Sequence, residues 1–373
     1  MVACTNPTLW AAVLLLTGAL ATPPKPTPPT KPTPAIRPLI RKEWRTLKAP
    51  EKKDYLRAVK CLLAKPALTP AFPNSGVISR YDDLVYTHIQ QTMQIHFTGH
   101  FLPWHRYYTA IYESMLRSEC GYKGAQPYWD WTLDTPSSSF ANSPVFDAHT
   151  GFGGNGPFVP SNPNSFFPPV PGRTGGGCVT TGPFAGISDM VHLGPADSVT
   201  YNPQCLKRDF SPYFAGRYLG MNQTQVTLCQ PDFGLFARTM EGGPDYELSG
   251  VHGGGHYGVG GSLGQIGDLY VSPADPIFFL HHANLDRLWW SWQRVNLGTR
   301  LMEISGPELI MDYSGPNVTL AFPLTMGVNG ADLTVGDVMN IKGCGATGAL
   351  CYDYDQVYTI AESSACGPPG ARV

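Results

Sequence analysis

Eight of the chain's ten histidines fall into two clusters, His88, His96, His100 and His105 in the first and His252, His256, His281 and His282 in the second. Imidazole is the commonest ligand for borderline transition metals, because its neutral form offers a lone pair at physiological pH. His252 and His256 stand four residues apart, which on a helix puts both rings on one face about a turn apart. A third ligand must then come from elsewhere. His282 lies inside Asp275-Pro-Ile-Phe-Phe-Leu-His-His-Ala-Asn-Leu-Asp-Arg-Leu-Trp-Trp, and His105 inside Phe-Leu-Pro-Trp-His-Arg-Tyr-Tyr. An imidazole buried among so many apolar residues needs a strong partner. A backbone carbonyl would serve for one such histidine; for a whole set, a metal is the simpler account.

The metal follows by exclusion. No cysteine stands in ligand spacing beside the clusters and no carboxylate alternates with the histidines, so zinc-hydrolase patterns such as HExxH are absent and an iron facial triad lacks its acid. Two all-nitrogen, three-coordinate sites suit two copper ions, with O2 as co-substrate and coordination left open for an organic molecule.

The surrounding pattern is mainly helical. Apolar residues at helical spacing predict helices over 52–64, 82–94 and, after a break at Pro103, 104–120, with a turn over 97–102. Further helical zones are expected at 224–240, interrupted at Pro231, around His252 to His256, and over 276–295 behind an Asp275 that can cap its start. Residues 137–205, rich in Gly, Pro, Ser and Asn, read as irregular surface held by disulfides. Short β-like runs stand at 318–322 and 357–360. The expected fold is thus a four-helix bundle around a dicopper centre, with long irregular disulfide-linked loops and small peripheral strands.

Residues 1–21 read as a signal peptide ending Ala19-Leu20-Ala21, too short to span a bilayer. Residues 22–38 form a Pro/Thr-rich arm of polyproline character, and 39–373 a single catalytic domain. Without Cys4 the chain keeps eight cysteines and no CxxC, an even number suited to an oxidising compartment; their pairing stays open. Two sequons, at Asn222 and Asn317, agree with export. A formal net charge of −2 with 14% charged residues leaves no basic stripe for nucleic acid, and no later segment is long enough for a membrane span.

The two histidine-bearing segments, His96-Phe-Thr-Gly-His-Phe-Leu-Pro-Trp-His105-Arg-Tyr-Tyr and Asp275 through Trp289, resemble the two copper motifs of the tyrosinase and catechol oxidase family, in particular its short, secreted fungal members. The resemblance runs from Arg41 to Tyr352-Asp-Tyr354, which looks like the tyrosine motif closing the family's catalytic domain. It implies that His88, His96 and His105 hold one copper and His252, His256 and His282 the other, with His281 adjacent but not ligating and His100 either structural or supporting a ligand from behind. It also implies that Phe278 packs over the ligand rings and positions substrate, that Leu269 is a gate of middling size, and that Asp286 accepts a hydrogen bond from a ligand imidazole or pairs with Arg106 or Arg287.

The sequence departs from the family at named positions. Gln94 replaces the cysteine that many relatives link to the second ligand, so no thioether is expected. Gly253 replaces the asparagine of strong monophenol hydroxylases, whose amide orients a water beside a glutamate; Glu241 is the candidate glutamate and Glu247 the alternative. Weak monophenol hydroxylation follows. No shielding domain is expected after the tyrosine motif. The expected protein is a secreted monomer that oxidises o-diphenols, and by extension some monophenols, aminophenols or methoxyphenols, to quinones while reducing O2 to water. A haemocyanin-like O2 carrier and a structural protein with a zinc-filled or empty site are the alternatives.

Overall fold

A computed structural model describes residues 37–135, 137–162 and 169–360. The expected leader, the arm except its last two residues, and Cys366 lie outside them. The described residues fall within one compact unit.

Four helices build the bundle that carries the histidines. Helix α1 (Ala49–Ala64) buries Tyr55, Leu56, Val59 and Leu62 and leads into it. Helix α2 (Arg80–Ile95) opens on a capping box, in which Ser79 Oγ accepts from the Asp82 N–H and the Asp82 carboxylate accepts from the Ser79 N–H. Helix α3 (Phe101–Ser118) starts three residues earlier than expected. Pro103 is not a break: it stands in the first turn, where its missing N–H would have no intrahelical partner anyway.

Helices α4 (Pro212–Tyr218), α5 (Met221–Leu228) and α6 (Phe233–Glu241) follow, with Pro231 between α5 and α6 and Asp232 capping α6 through the Leu235 N–H at 2.8 Å. The last two bundle helices are α7 (Val251–Gly260) and α8 (Ile277–Val295). Asp275 sits before α8, and its Oδ1 accepts from the Ile277 N–H at 3.1 Å. The same carboxylate receives two N–H groups of Arg208, at 2.7 and 3.0 Å, so a buried bidentate pair ties the long loop to the start of α8.

The described residues of 137–205 are mostly irregular as expected, apart from single helical turns at Ser137–Phe140 and Pro144–Phe146, yet they are more than surface. Phe140, Phe146 and Phe152 are buried, and Phe146 packs on Phe210 with ring centroids 4.4 Å apart. Disulfides join Cys61 to Cys120, Cys178 to Cys205 and Cys344 to Cys351, and Cys229 is disulfide-bonded as well.

The strands are β1 (Leu39–Arg41), β2 (Pro323–Leu324), β3 (Leu333–Thr334) and β4 (Tyr352–Tyr354). β1 pairs with β4 in parallel, Arg41 opposite Tyr354, and β2 with β3 antiparallel. The β-like runs at 318–322 and 357–360 are not strands. They are apolar because Val318 and Tyr358 are buried, and the Tyr358 N–H donates to Ser291 Oγ at 3.0 Å instead of to a neighbouring strand. Among the described residues no helix is long and apolar enough to cross a membrane.

Candidate metal centre

The bundle brings six imidazoles into two groups of three. His88 comes from the middle of α2, His96 from the residue that ends it, and His105 from α3; His252 and His256 come from α7 and His282 from α8. Within each group one ligand nitrogen per residue lies within 4.8 Å of the others, and these are the two such clusters found among the described residues. None of the six is more than 8% exposed. The groups face one another, His105 stacking on His282 at 4.6 Å and His96 on His252 at 5.9 Å between centroids.

Backbone carbonyls orient the rings. The Nδ1 atoms of His88, His96 and His105 lie 2.8 Å from the carbonyl oxygens of Tyr270, Thr92 and Phe101, and that of His256 lies 2.7 Å from the Ile266 carbonyl. An N–H donated there fixes the tautomer and leaves a lone pair on Nε2. Burial then holds every ring neutral. It lowers His96 and His256 to about 4, and His88, His105, His252 and His282 well below the usual histidine value.

Several of these nitrogens are orphaned. Nε2 of His88, His105 and His252 is buried without a hydrogen-bond partner, and the Nε2 atoms of His256 and His282 converge to 3.2 Å. Buried polar atoms without partners are rare and costly. Two facing sets of neutral imidazoles, with no thiolate or carboxylate among them, fit a dicopper centre.

The remaining clustered histidines stand apart. The His281 Nε2–H donates to the His252 carbonyl, 3.0 Å away, and the ring packs on Trp131 at 5.0 Å. The His100 ring lies 4.4 Å from that of Phe322, and burial lowers its pKa to about 4. Phe278 is fully buried and stacks on His282 at 4.0 Å, with edge contacts to His88 and His256 at 5.5 and 5.7 Å.

Glu241 ends α6, and its carboxylate accepts the Phe97 N–H at 2.7 Å, one residue past His96. Burial raises its pKa well above the carboxylate range. Leu269 is half-buried in the turn before Tyr270, whose carbonyl holds His88. Asp286 bonds no imidazole: its partners are Arg106, Arg41, Tyr352 and Tyr354, so of the expected alternatives the Arg106 pair is present.

The glycine run in α7 has a steric cause. A Cβ on Gly253 would come within 2.8 Å of Ser249 Oγ, and one on Gly254 within 2.8 Å of Tyr218 Cβ. At Gly255 it would overlap the imidazole of His281, which α7 crosses at closest approach. Gly255→Ala is therefore expected to destabilise the protein by about 1–3 kcal/mol through overpacking, outweighing alanine's helix advantage of about 1 kcal/mol. A thermal melt of the variant checks this, and a melting temperature equal to or above wild type would contradict it.

Sequence reasoning missed the orienting carbonyls. His96 and His105 each reach the carbonyl four residues back, a spacing readable once the helix is known, whereas Tyr270 and Ile266 arrive from a turn that no local pattern announces.

Residues 78–295 match the tyrosinase family, described as the common central domain of tyrosinase. The chain is similar to an N-acetyl-6-hydroxytryptophan oxidase from Emericella nidulans, 35% identical over 349 residues that cover 85% of this chain and 92% of that protein. It is similar to tyrosinase P from Aspergillus terreus, 33% identical over 339 residues covering 85% and 92%. Among solved structures it is similar to a variant polyphenol oxidase from Thermothelomyces thermophila, with TM-score 0.72 and 36% identity over 85% of this chain and 89% of that one.

Proposed function

Since the chain belongs to the tyrosinase family of copper oxidoreductases, we propose that it is a secreted, monomeric o-diphenol oxidase yielding o-quinones. Each diphenol gives up two electrons and two protons, and two diphenols reduce one O2 to two waters. The observation that carries the reading is the pair of facing, neutral histidine triads with orphaned Nε2 atoms. His88, His96 and His105 hold one copper, and His252, His256 and His282 the other. When bound, the copper pair carries electrons from the phenol to O2.

The chain's own residues supply the rest. Carbonyls of Tyr270, Thr92, Phe101 and Ile266 hold the imidazole tautomers. Phe278, pressed on His282, keeps water from the ligand rings and fixes their position. Gly253 offers no amide to orient a water for deprotonating a monophenol, so hydroxylation is slow. Leu269, half-buried, leaves the site open to small phenols. The disulfides among the described residues support export behind a leader at 1–21 and an arm at 22–38. A hydroxylated aromatic substrate is also what the name of the Emericella nidulans relative states for that protein.

The test is O2 consumption by the copper-loaded protein on a catechol and on its parent monophenol, with His282→Ala as control. Rapid catechol turnover, little monophenol turnover and an inactive control are expected. Comparable turnover of both substrates would show that the glycine at 253 does not limit hydroxylation. Reversible O2 uptake without turnover of either would replace the oxidase reading with that of a carrier.

A further inference from the structure

We infer that Glu241 is a positioning residue for His96, acting through a carboxylate brace on the backbone of Phe97; this rests on the dicopper reading above. His96 is the one ligand of its triad outside a helix. Helix α2 ends at Ile95, His96 is extended with φ −116° and ψ 144°, and Phe97 turns left-handed with φ 54°. That reversal sends the chain into α3, and it sets the direction of the His96 side chain while Nδ1 stays on the Thr92 carbonyl. A side chain with a Cβ rarely adopts this conformation unless its surroundings impose it.

Here they do so at both backbone groups of one residue. The Phe97 N–H, beyond the helical ladder, donates to Glu241 Oε1 at 2.7 Å, and the Phe97 carbonyl accepts from the Met311 N–H at 3.0 Å. Two residues on, the Gly99 N–H donates to the Pro307 carbonyl at 2.8 Å, and a Cβ on Gly99 would meet the Ser305 and Gly306 carbonyls at 2.7 Å. Of these holds, the bond to Glu241 is the one made by a side chain, and it comes from α6, only ten residues before α7 and its ligands. Glu241 therefore couples the end of α6 to the first triad. A carboxylate acting only as a proton acceptor for substrate would have no need of this bond, which occupies one of its oxygens.

The experiment compares Glu241→Gln with Glu241→Ala. Glutamine keeps an oxygen for the Phe97 N–H; alanine leaves that donor without its acceptor. Copper affinity is read by competition with a chromophoric chelator, alongside copper per chain and the melting temperature of the metal-free proteins. Glu241→Ala is expected to weaken one copper by about ten- to a hundredfold, the range for loss of an outer-shell partner, with Glu241→Gln restoring affinity to near wild type. If alanine prevents folding, Glu241→Met fills the space without an acceptor and takes its place.

Equal copper affinity in all variants would reduce Glu241 to a structural or proton-accepting role and overturn the inference. Equal losses in Gln and Ala would overturn it too, by showing that an acceptor for the Phe97 N–H is not what holds His96. Catechol turnover by the wild type is measured in parallel; its absence would count against the oxidase reading and leave the affinity comparison standing.

Discussion

Asp286→Ala is expected to destabilise the copper-loaded protein by about 3–5 kcal/mol, the cost of stranding one partner of a buried ion pair. Asp286 lies on α8 one turn after His282 and is 3% exposed. One carboxylate oxygen accepts from Arg106 Nε, and the other accepts from the hydroxyls of Tyr352 and Tyr354, each at 2.5 Å, with Arg41 Nη1 at 3.4 Å. Arg41 would keep Glu113 at 2.6 Å. Arg106 would keep only neutral acceptors, the Val338 and Met339 carbonyls and the Gln293 amide.

The damage should therefore centre on Arg106, the neighbour of His105, and reach both triads at once. It should also release β1 and β4, since the two strands carry Arg41 and the tyrosines to the same carboxylate. At the few degrees per kcal/mol expected for a chain of this size, the melting temperature falls by on the order of 5–10 °C. Asp286→Asn, which keeps the shape and loses the charge, should lie between. A D286A protein melting with wild type would mean that carbonyls and the tyrosine clamp hold Arg106 without a countercharge.

The contrast between Asp286 and the imidazoles shows what a sequence discloses. Ligands on helices are legible because a spacing of four residues, as at His252 and His256, has one geometric meaning on a helix. The flanking motifs made the roles of His105 and His282 legible through the family likeness. What could not be read is whatever depends on chain segments far apart meeting side by side. Asp286 draws its partners from three segments, and its carboxylate was as ready to serve an imidazole as a guanidinium until the parallel pairing of Leu39–Arg41 with Tyr352–Tyr354 fixed the choice. Pro103 misled for a different reason: a proline three residues into a helix costs no hydrogen bond, and only knowledge of where the helix begins separates that case from a break. The need for glycine at 255 has no local signal, because the neighbour it makes room for, His281, belongs to another helix.

The first cluster gives a direct test of the ligand assignment, because, like the second, it holds one histidine more than a triad needs. His105→Ala is expected to abolish catechol turnover and to leave the chain with one tightly held copper, whereas His100→Ala should keep both ions and near-normal turnover. Spacing alone does not separate the two residues, and each carries a buried nitrogen without a hydrogen-bond partner, Nε2 in His105 and Nδ1 in His100. Position separates them. His105 meets His88 and His96 within 4.8 Å and stacks on His282 across the centre, while His100 lies at the start of α3 with its ring against Phe322. Loss of His105 removes a donor from the metal itself, and should exceed the roughly hundredfold penalty of losing an outer-shell partner. Loss of His100 removes ring packing, which should appear in the melting temperature and not in the copper content. Copper per chain and catechol turnover, measured on both variants, decide the matter: a His100→Ala protein that loses an ion would place that ring, rather than one of the three assigned, at the first copper.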